Sequence, residues 1–198
     1  MKSWKVYCRK STRMGTKAFK ITVHMVQSLD GYIAKKDNSV GWFETTSPYE
    51  EGVEWQGPGE SMKSVDCYVM GAGTYEHASE LSKEYYWAYG DTPTVVVTHR
   101  KLPLVRPHIE FYQGDLNTLV NERLRPRYKN IWVVGGAALA KDFLQQNLVD
   151  EIQLNILPIL LGDGLPFFDR VGLERPLQLK NTVAYKNGLV ELTYTVKK

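Results

Sequence analysis

Three short segments of the chain could bind phosphate groups through backbone N–H groups and one cation. The segments "MGAGTYE" (70–76) and "VVGGAALA" (133–140) each place glycines directly before a helical run. The first N–H groups of a helix lack partners and carry the positive end of its dipole, so they bind phosphates. The third segment, "VVTHR" (96–100), ends a strand with a hydroxyl, an imidazole and a guanidinium. Two such helix starts and an arginine are what a dinucleotide with an additional ribose phosphate requires.

Several other kinds of site are disfavoured by residue spacing. Gly71-Ala72-Gly73 begins like G-x-G-x-x-G, but Glu76 stands where the third glycine of that fingerprint belongs. The chain contains neither a "GK[ST]" motif nor a G-x-S-x-G motif. No metal site is expected, because zinc-ligand spacing is absent from the four histidines, which are His24, His77, His99 and His108. The glycine pair could instead serve close strand–helix packing, and Arg100 could be a solvated strand end.

Charge is distributed unevenly along the chain. Residues 1–29 contain seven basic and no acidic residues. The rest of the chain, residues 30–198, which we call the body, has 18 basic and 22 acidic residues and so a formal charge of −4. Nucleic-acid binding needs a basic face on the folded body, so no nucleic-acid partner is expected. The basic segment 1–18 could be an organellar transit segment or a disordered extension, and its composition favours the extension. We therefore place a single domain at 19–198.

The apolar and cysteine content indicates an ordinary globular domain in a reducing compartment. Hydrophobic residues make up 43% of the chain and charged residues 24%, which is typical of soluble proteins. The sequence has only two cysteines, at no metal-like spacing, and no run of about 18 apolar residues. These features predict a cytoplasmic protein with no membrane partner.

Strands and helices are expected to alternate and then to give way to a hairpin. The alternation predicts a mixed sheet, mostly parallel, with helices on both faces. Asn187-Gly188 joins two runs of period-2 alternation, which is a strong signal for an antiparallel hairpin at the C-terminus. Thr74 and Asp115 are expected to cap helices. The predicted strands are 19–34 (breaking at Asp30-Gly31), 65–71, 92–100, 109–113, 130–136, 149–162 (interrupted at Pro158) and the two arms of 177–196; the predicted helices are 74–83, 115–125 and one ending near Asn147.

In this order the motifs resemble the dihydrofolate reductase-like family. The resemblance is closest to the branch that includes the reductase domain of bifunctional riboflavin-biosynthesis enzymes. It covers about residues 19–196 and is most specific over 131–168, where Gly-Gly, a helix, "LVDE" and "PILLGDG" follow one another. It implies a dihydrofolate reductase-like fold, an NADPH cofactor, a small heterocyclic substrate and a homodimer.

The resemblance also assigns roles to residues at matching positions. It implies that Asp30 of "SLDG" lies on the substrate side, where it could assist proton delivery or only cap the turn at Gly31. Trp42 and Phe43 could wall a flat substrate ring or belong to the core. The residues that it places at the cofactor are Ile33 and Ala34 beside the nicotinamide; Gly71, Gly73, Thr74 and Tyr75 at one phosphate turn; Thr98, His99 and Arg100 at the adenosine ribose and its 2′-phosphate; and Gly135, Gly136, Ala137, Ala138 and Leu139 at the pyrophosphate.

Two departures from the family pattern bear on function. Ala72 stands where the family commonly has an arginine, which removes a cation that can pair with phosphate. Position 47 is Ser, so the helix carboxylate of true dihydrofolate reductases has no clear counterpart. The sequence thus predicts an NADPH-dependent reductase acting on a pterin-like or ribosylaminopyrimidine substrate. The alternative is a non-catalytic nucleotide-binding or dimeric interaction protein on the same scaffold.

Overall fold

The computed structural model of the protein describes residues 18–57 and 62–198. Residues 1–17 of the predicted extension lie outside the described residues. None of the helices in the described ranges is long and apolar enough to cross a membrane.

Ten strands and three α-helices make up the described ranges. The strands are β1 (Lys20–Ser28), β2 (Tyr32–Ala34), β3 (Cys67–Gly71), β4 (Thr94–Val97), β5 (Ile109–Tyr112), β6 (Asn130–Val133), β7 (Glu151–Leu157), β8 (Leu165–Pro166), β9 (Leu177–Ala184) and β10 (Val190–Val196). The helices are α1 (Ala72–Glu84), α2 (Leu116–Thr118) and α3 (Ala137–Gln145), with a 3-10 turn at Gly41–Glu44 and a π-helical continuation of α2 at Leu119–Leu124.

Eight strands form one sheet in the order β5-β4-β3-β6-β1-β7-β10-β9. The six strands from β5 to β7 are parallel, and β10 and β9 add an antiparallel hairpin at one edge. Strands β2 and β8 pair separately. The mixed, mostly parallel sheet predicted from the sequence is confirmed.

Side chains alternate between the two faces of the sheet, and different helices pack on each face. On one face, Ile21, Val23 and Val133 pack with Phe143 of α3 and Leu119 of the π-helical segment. On the other face, the side chains of Tyr68, Met70, Val96 and Trp132 pack with Tyr75 of α1. We call these the α3 face and the α1 face. The two layers of helices hold the carboxyl ends of the parallel strands in fixed positions.

Of the two predicted helix caps, one is confirmed and one is wrong, and the predicted C-terminal hairpin is confirmed. Asp115 caps α2 as expected, accepting a hydrogen bond from the Thr118 N–H at 2.9 Å. The prediction that Thr74 caps α1 is wrong, because β3 runs directly into the helix and extended Gly71 takes the N-cap position. The C-terminal hairpin is confirmed, with Gly188 at φ 84° closing a turn in which its N–H donates to the Tyr185 carbonyl at 2.9 Å.

Candidate functional site

The two glycine-containing turns lie side by side at the carboxyl ends of neighbouring strands. Strands β3 and β6 are adjacent and parallel. The Val134 N–H donates to the Val69 carbonyl at 3.0 Å, and the Gly71 N–H donates to the Gly135 carbonyl at 2.8 Å. The sheet hydrogen bonding therefore continues past the strand ends and joins the two turns directly.

Gly135 occupies a position that strongly favours a residue without a side chain. Its φ is 118°, in the region that other residues rarely adopt, and its peptide bond to Gly136 is cis. A Cβ at Gly135 would lie 3.1 Å from the Met25 methyl carbon and 3.2 Å from Thr74 Oγ1. Backbone, rather than side chain, thus forms the surface between β1 and α1.

Two helix N-termini open at this point. Gly71 is the N-cap of α1 and Gly136 is the N-cap of α3, and neither cap has a side-chain hydrogen bond. The N–H groups of the first turns can therefore donate hydrogen bonds to a ligand. Those turns contain the predicted residues Ala137 and Ala138, which are half-buried and exposed, and Gly73, which is exposed.

The predicted ribose-phosphate strip lies at the end of β4, next to β3. Thr98 is buried, and its Oγ1 accepts a hydrogen bond from the Arg100 N–H at 3.0 Å. His99 and Arg100 are exposed. The Arg100 guanidinium is paired with Glu76 of α1, with N–O distances of 2.8 and 2.5 Å. The sequence predicted Arg100 at this place but gave no sign of this partner.

Two of the predicted cofactor residues have core side chains. Tyr75 is 1% exposed, and its hydroxyl donates to the Pro103 carbonyl at 2.5 Å and accepts from the Val105 N–H at 3.2 Å. Leu139 is also buried and packs in the α3-face core. Because both side chains are buried in the core, only the backbone of these two residues could face a ligand.

Asp30 ties two loops together. Its carboxylate accepts hydrogen bonds from Ser28 Oγ at 2.5 Å, from the Leu161 N–H at 3.1 Å and from the Gly162 N–H at 2.7 Å. Desolvation is the largest single effect and raises the pKa of Asp30, but the hydrogen bonds together outweigh it and hold the pKa below its ordinary value. The contacts favour the turn-capping interpretation, and a role in proton delivery stays a prediction.

The remaining predicted residues flank the carboxyl end of β1. Ile33 packs against the α3-face core, and Ala34 is buried on β2. Trp42 is buried with Leu157 and Leu189, whereas Phe43 is 41% exposed and meets the Trp42 ring edge-on. Trp42 is thus a core residue, and Phe43 is the one of the pair that is free to contact a ligand.

The segment after Trp42 is a docked strip of chain. We call residues 46–54 the docked segment, because they run along the β9–β10 turn. The Ser47 N–H donates to the Asn187 carbonyl and the Tyr49 N–H to the Lys186 carbonyl, both at 2.9 Å. Glu54 forms an ion pair with Lys186 at 2.5 Å. The Glu54 carboxylate is therefore paired with the β9–β10 turn.

A polar row on the sheet was missed by the sequence reasoning. His24 of β1 stacks on Trp132 with ring centroids 4.4 Å apart, and Asn155 of β7 lies 3.5 Å from its Nε2. Gln153 donates to Glu191 of β10 at 2.9 Å. These residues share the α1 face, and Asn155 Oδ1 is a buried atom with no hydrogen-bond partner among the described residues.

Burial changes the acid–base behaviour of this row. Desolvation lowers the pKa of His24 to about 4 and raises the pKa of Glu191, although Gln153 donates to the latter. The imidazole is thus neutral near pH 7 and can accept or donate one hydrogen bond. Only the strand register could have revealed the row, because its members lie on separate strands.

Comparison with known proteins places the chain in a family. A model of the RibD C-terminal domain matches residues 19–191. The uncharacterized protein YwjB of Bacillus subtilis (strain 168) is 30% identical over 175 residues, which cover 88% of this chain and 97% of YwjB.

Two solved structures show the same fold. A protein from Shewanella sp. PV-4 assigned to riboflavin biosynthesis has 26% identity and a TM-score of 0.76, covering 91% of this chain and all of that one. Dihydrofolate reductase from Enterococcus faecalis, complexed with NADP(H), has 15% identity and a TM-score of 0.56, covering 90% of this chain and 97% of that one. The resemblance inferred from the motifs is confirmed: the chain has a dihydrofolate reductase-like fold and belongs to the RibD C-terminal domain family.

Proposed function

We propose that this protein is an NADPH-dependent reductase that transfers a hydride to the carbon of a C=N or C=O bond in a pterin-like or ribosylaminopyrimidine substrate. The observation that carries the proposal is the hydrogen bond between Gly71 and Gly135, which brings two uncapped helix N-termini together. The family membership and the reductase fold of the solved neighbours support the oxidoreductase class.

The residues present fit a dinucleotide. Gly135 keeps side chains out of the space between Met25 and Thr74, so a pyrophosphate can approach the backbone closely. The open N–H groups at the starts of α1 and α3 can donate to its oxygens. Arg100 and His99 lie at the end of the strand beside this point and could contact the adenosine ribose.

The substrate side follows from the polar row. We propose that the ring of the substrate lies over β1 against His24, whose ring is backed by the buried Trp132, with Asn155 and Glu191 along its edge. Within the part of the chain that the structure describes, Asn155 Oδ1 has no hydrogen-bond partner, so it can accept a hydrogen bond from a ring N–H or an amino group. The uncharged groups of His24 and Asn155 suit an uncharged heterocycle.

The chain contributes orientation and exclusion of water. When bound, the nicotinamide supplies the hydride. The two glycine turns would hold the dinucleotide, and the His24 ring, held in place by stacking on Trp132, would offer a flat surface for the substrate ring. The ionised Asp30 is a poor proton donor near pH 7 because its pKa is lowered, so it would act by fixing the loop at Leu161 and Gly162.

Cofactor binding tests the proposal in solution. Titrating NADPH and NADH into the protein and following nicotinamide fluorescence should give saturable binding of both. The variant Arg100→Ala should weaken NADPH by about tenfold, since a charge-assisted contact to an exposed phosphate is lost, and should leave NADH nearly unchanged. Lys101→Ala, which removes the neighbouring exposed cation, is the control. Absence of binding of either cofactor would reject the proposal.

The non-catalytic alternative is distinguished by turnover. Loss of NADPH absorbance in the presence of pterins or aminopyrimidines supports a reductase. Tight NADPH binding with no oxidation across the panel would favour a nucleotide-binding protein that has lost its activity.

A further inference from the structure

We propose that Glu76 restricts the preference for the 2′-phosphorylated cofactor by holding Arg100 in an ion pair. The inference rests on the proposed function, because it concerns the same dinucleotide site. It adds a specificity-determining residue that is not among the predicted cofactor contacts.

The geometry of the pair is bidentate. Arg100 Nη1 donates to Glu76 Oε2 at 2.8 Å, and Arg100 Nη2 donates to Glu76 Oε1 at 2.5 Å. The guanidinium presents parallel N–H groups in a fixed fork that matches either a carboxylate or a phosphate. The hydrogen bond from the Arg100 N–H to Thr98 Oγ1 also fixes the backbone from which the side chain extends. The Nη1 and Nη2 groups of Arg100, which could donate to a phosphate, therefore already donate to Glu76.

Because of its position, Glu76 would compete with a ribose phosphate for the Arg100 guanidinium. Glu76 lies on α1, whose N-terminal turn is one of the two predicted phosphate sites, and Ala72 in that turn contributes no cation. A ribose phosphate near Arg100 must either displace the Glu76 carboxylate or lie beside it, and like charges at this separation repel. A ribose 2′-hydroxyl meets no such penalty, because it can donate a hydrogen bond to the carboxylate.

Glu76 therefore reduces the difference in affinity between NADPH and NADH. Arg100 favours the 2′-phosphate only to the extent that Glu76 releases it. Both side chains are well exposed, at 60% for Arg100 and 43% for Glu76, so the pair can open without unfolding the site. Neutralising Glu76 should therefore free Arg100 and increase the selectivity for the phosphorylated ligand.

Two nicotinamide-free probes isolate this effect from catalysis. We would measure binding of 2′,5′-ADP and of 5′-AMP by calorimetry, since the two differ only by the 2′-phosphate. Glu76→Gln should tighten 2′,5′-ADP by about five- to tenfold, the size of a charge-assisted contact that is partly screened, and leave 5′-AMP unchanged within about twofold. Glu80→Gln is the matched control, because Glu80 lies one turn along the same helix and pairs with Lys83.

A double-mutant cycle tests whether Glu76 acts through Arg100. In the Arg100→Ala background, the gain from Glu76→Gln should vanish. A gain that persists there would overturn the proposal, because Glu76 would then act by repulsion alone. An unchanged ratio of the two affinities in Glu76→Gln, or an equal gain in Glu80→Gln, would also overturn it while leaving the proposed function intact. If neither probe nor NADPH binds to any variant, the proposed function fails and the inference fails with it.

Discussion

At the residue scale, Gly135 combines a left-handed backbone conformation with close neighbours. A side chain there would need a φ of 118° and would press on Met25 and on Thr74 Oγ1. We predict that Gly135→Ala lowers the free energy of unfolding by roughly 1 to 3 kcal/mol, the cost of a strained backbone conformation. Denaturant unfolding of the variant measures this loss.

Gly73 provides the control for this prediction. It lies in the first turn of α1 without a positive φ, and a Cβ there would meet nothing within 4 Å. Gly73→Ala should therefore be neutral or slightly stabilising, because alanine restricts the unfolded chain. Equal losses in the two variants would show that Gly135 is not specially constrained.

His24 should make stability depend on pH. Its pKa is lowered to about 4 by burial, whereas in the unfolded chain it is near the ordinary value of about 6.5. Between these values the unfolded state binds the proton and the folded state does not, so stability present above pH 6.5 is lost as the pH falls towards 4. The loss should be on the order of 2 to 3 kcal/mol.

The variant His24→Gln isolates this contribution. Its free energy of unfolding, measured by denaturant titration from pH 7 to 4, should fall less steeply than that of the unaltered protein. Glu191 has a raised pKa, so it acts in the opposite direction, but it is present in both proteins and cancels in the comparison. Parallel pH profiles for the two proteins would contradict the prediction.

At the scale of elements, the docked segment depends on Gly52. A Cβ at this position would lie 2.5 Å from the Tyr185 carbonyl carbon and 2.6 Å from the Lys186 nitrogen. Both are backbone atoms that a rotamer change cannot move. Gly52→Ala should therefore separate residues 46–54 from the β9–β10 turn and destabilise the protein by about 1 to 3 kcal/mol.

Hydrogen exchange would locate this effect. Amide exchange should accelerate in residues 46–54 and at the β9–β10 turn of the Gly52→Ala variant, while α3 stays protected. Gly41→Ala is the control, because a Cβ at Gly41 meets nothing within 4 Å. Unchanged protection of the segment in Gly52→Ala would show that the docking is not maintained by close backbone contact.

Local sequence patterns predict elements better than they predict caps. Period-2 alternation and β-branched runs identified β4, β6 and the hairpin. The strand predicted over 149–162 was too long, because β7 ends at Leu157 and does not resume after Pro158. Thr74 failed as a cap because β3 and α1 join without a connecting loop, so the N-cap falls on Gly71. The π-helical turn at Leu119–Leu124 also has the apolar spacing of an ordinary helix and could not be distinguished from one.

At the scale of the whole molecule, the site depends on contacts that cross long stretches of sequence. The two glycine turns could be predicted, because glycine before a helix is a local signal. The Arg100–Glu76 pair joins residues 24 positions apart, and the Asn155–His24 contact joins residues 131 positions apart. Strand order and register create these contacts, and no local pattern encodes them.

The exposed edge of the sheet leads to a proposal about assembly. β9 is one of the two edge strands of the eight-stranded sheet, and its Leu177 and Leu179 side chains are 43% and 55% exposed. We propose that a homodimer covers this edge, since unpaired edges with apolar side chains invite strand pairing. Light scattering should give twice the chain mass of 22.6 kDa, and Leu179→Lys should shift the protein towards monomer. A monomer at micromolar concentration would contradict the proposal.

Transfer of isotope from the cofactor tests the central claim most directly. The protein would be incubated with NADPH carrying deuterium at nicotinamide C4 and with a panel of pterins and ribosylaminopyrimidines, and the products analysed by mass spectrometry. We predict that one deuterium appears on carbon in the reduced product of at least one substrate and that Gly135→Ala reduces this transfer. Saturable binding of NADPH with no deuterium in any product would contradict the claim that this site performs a reduction.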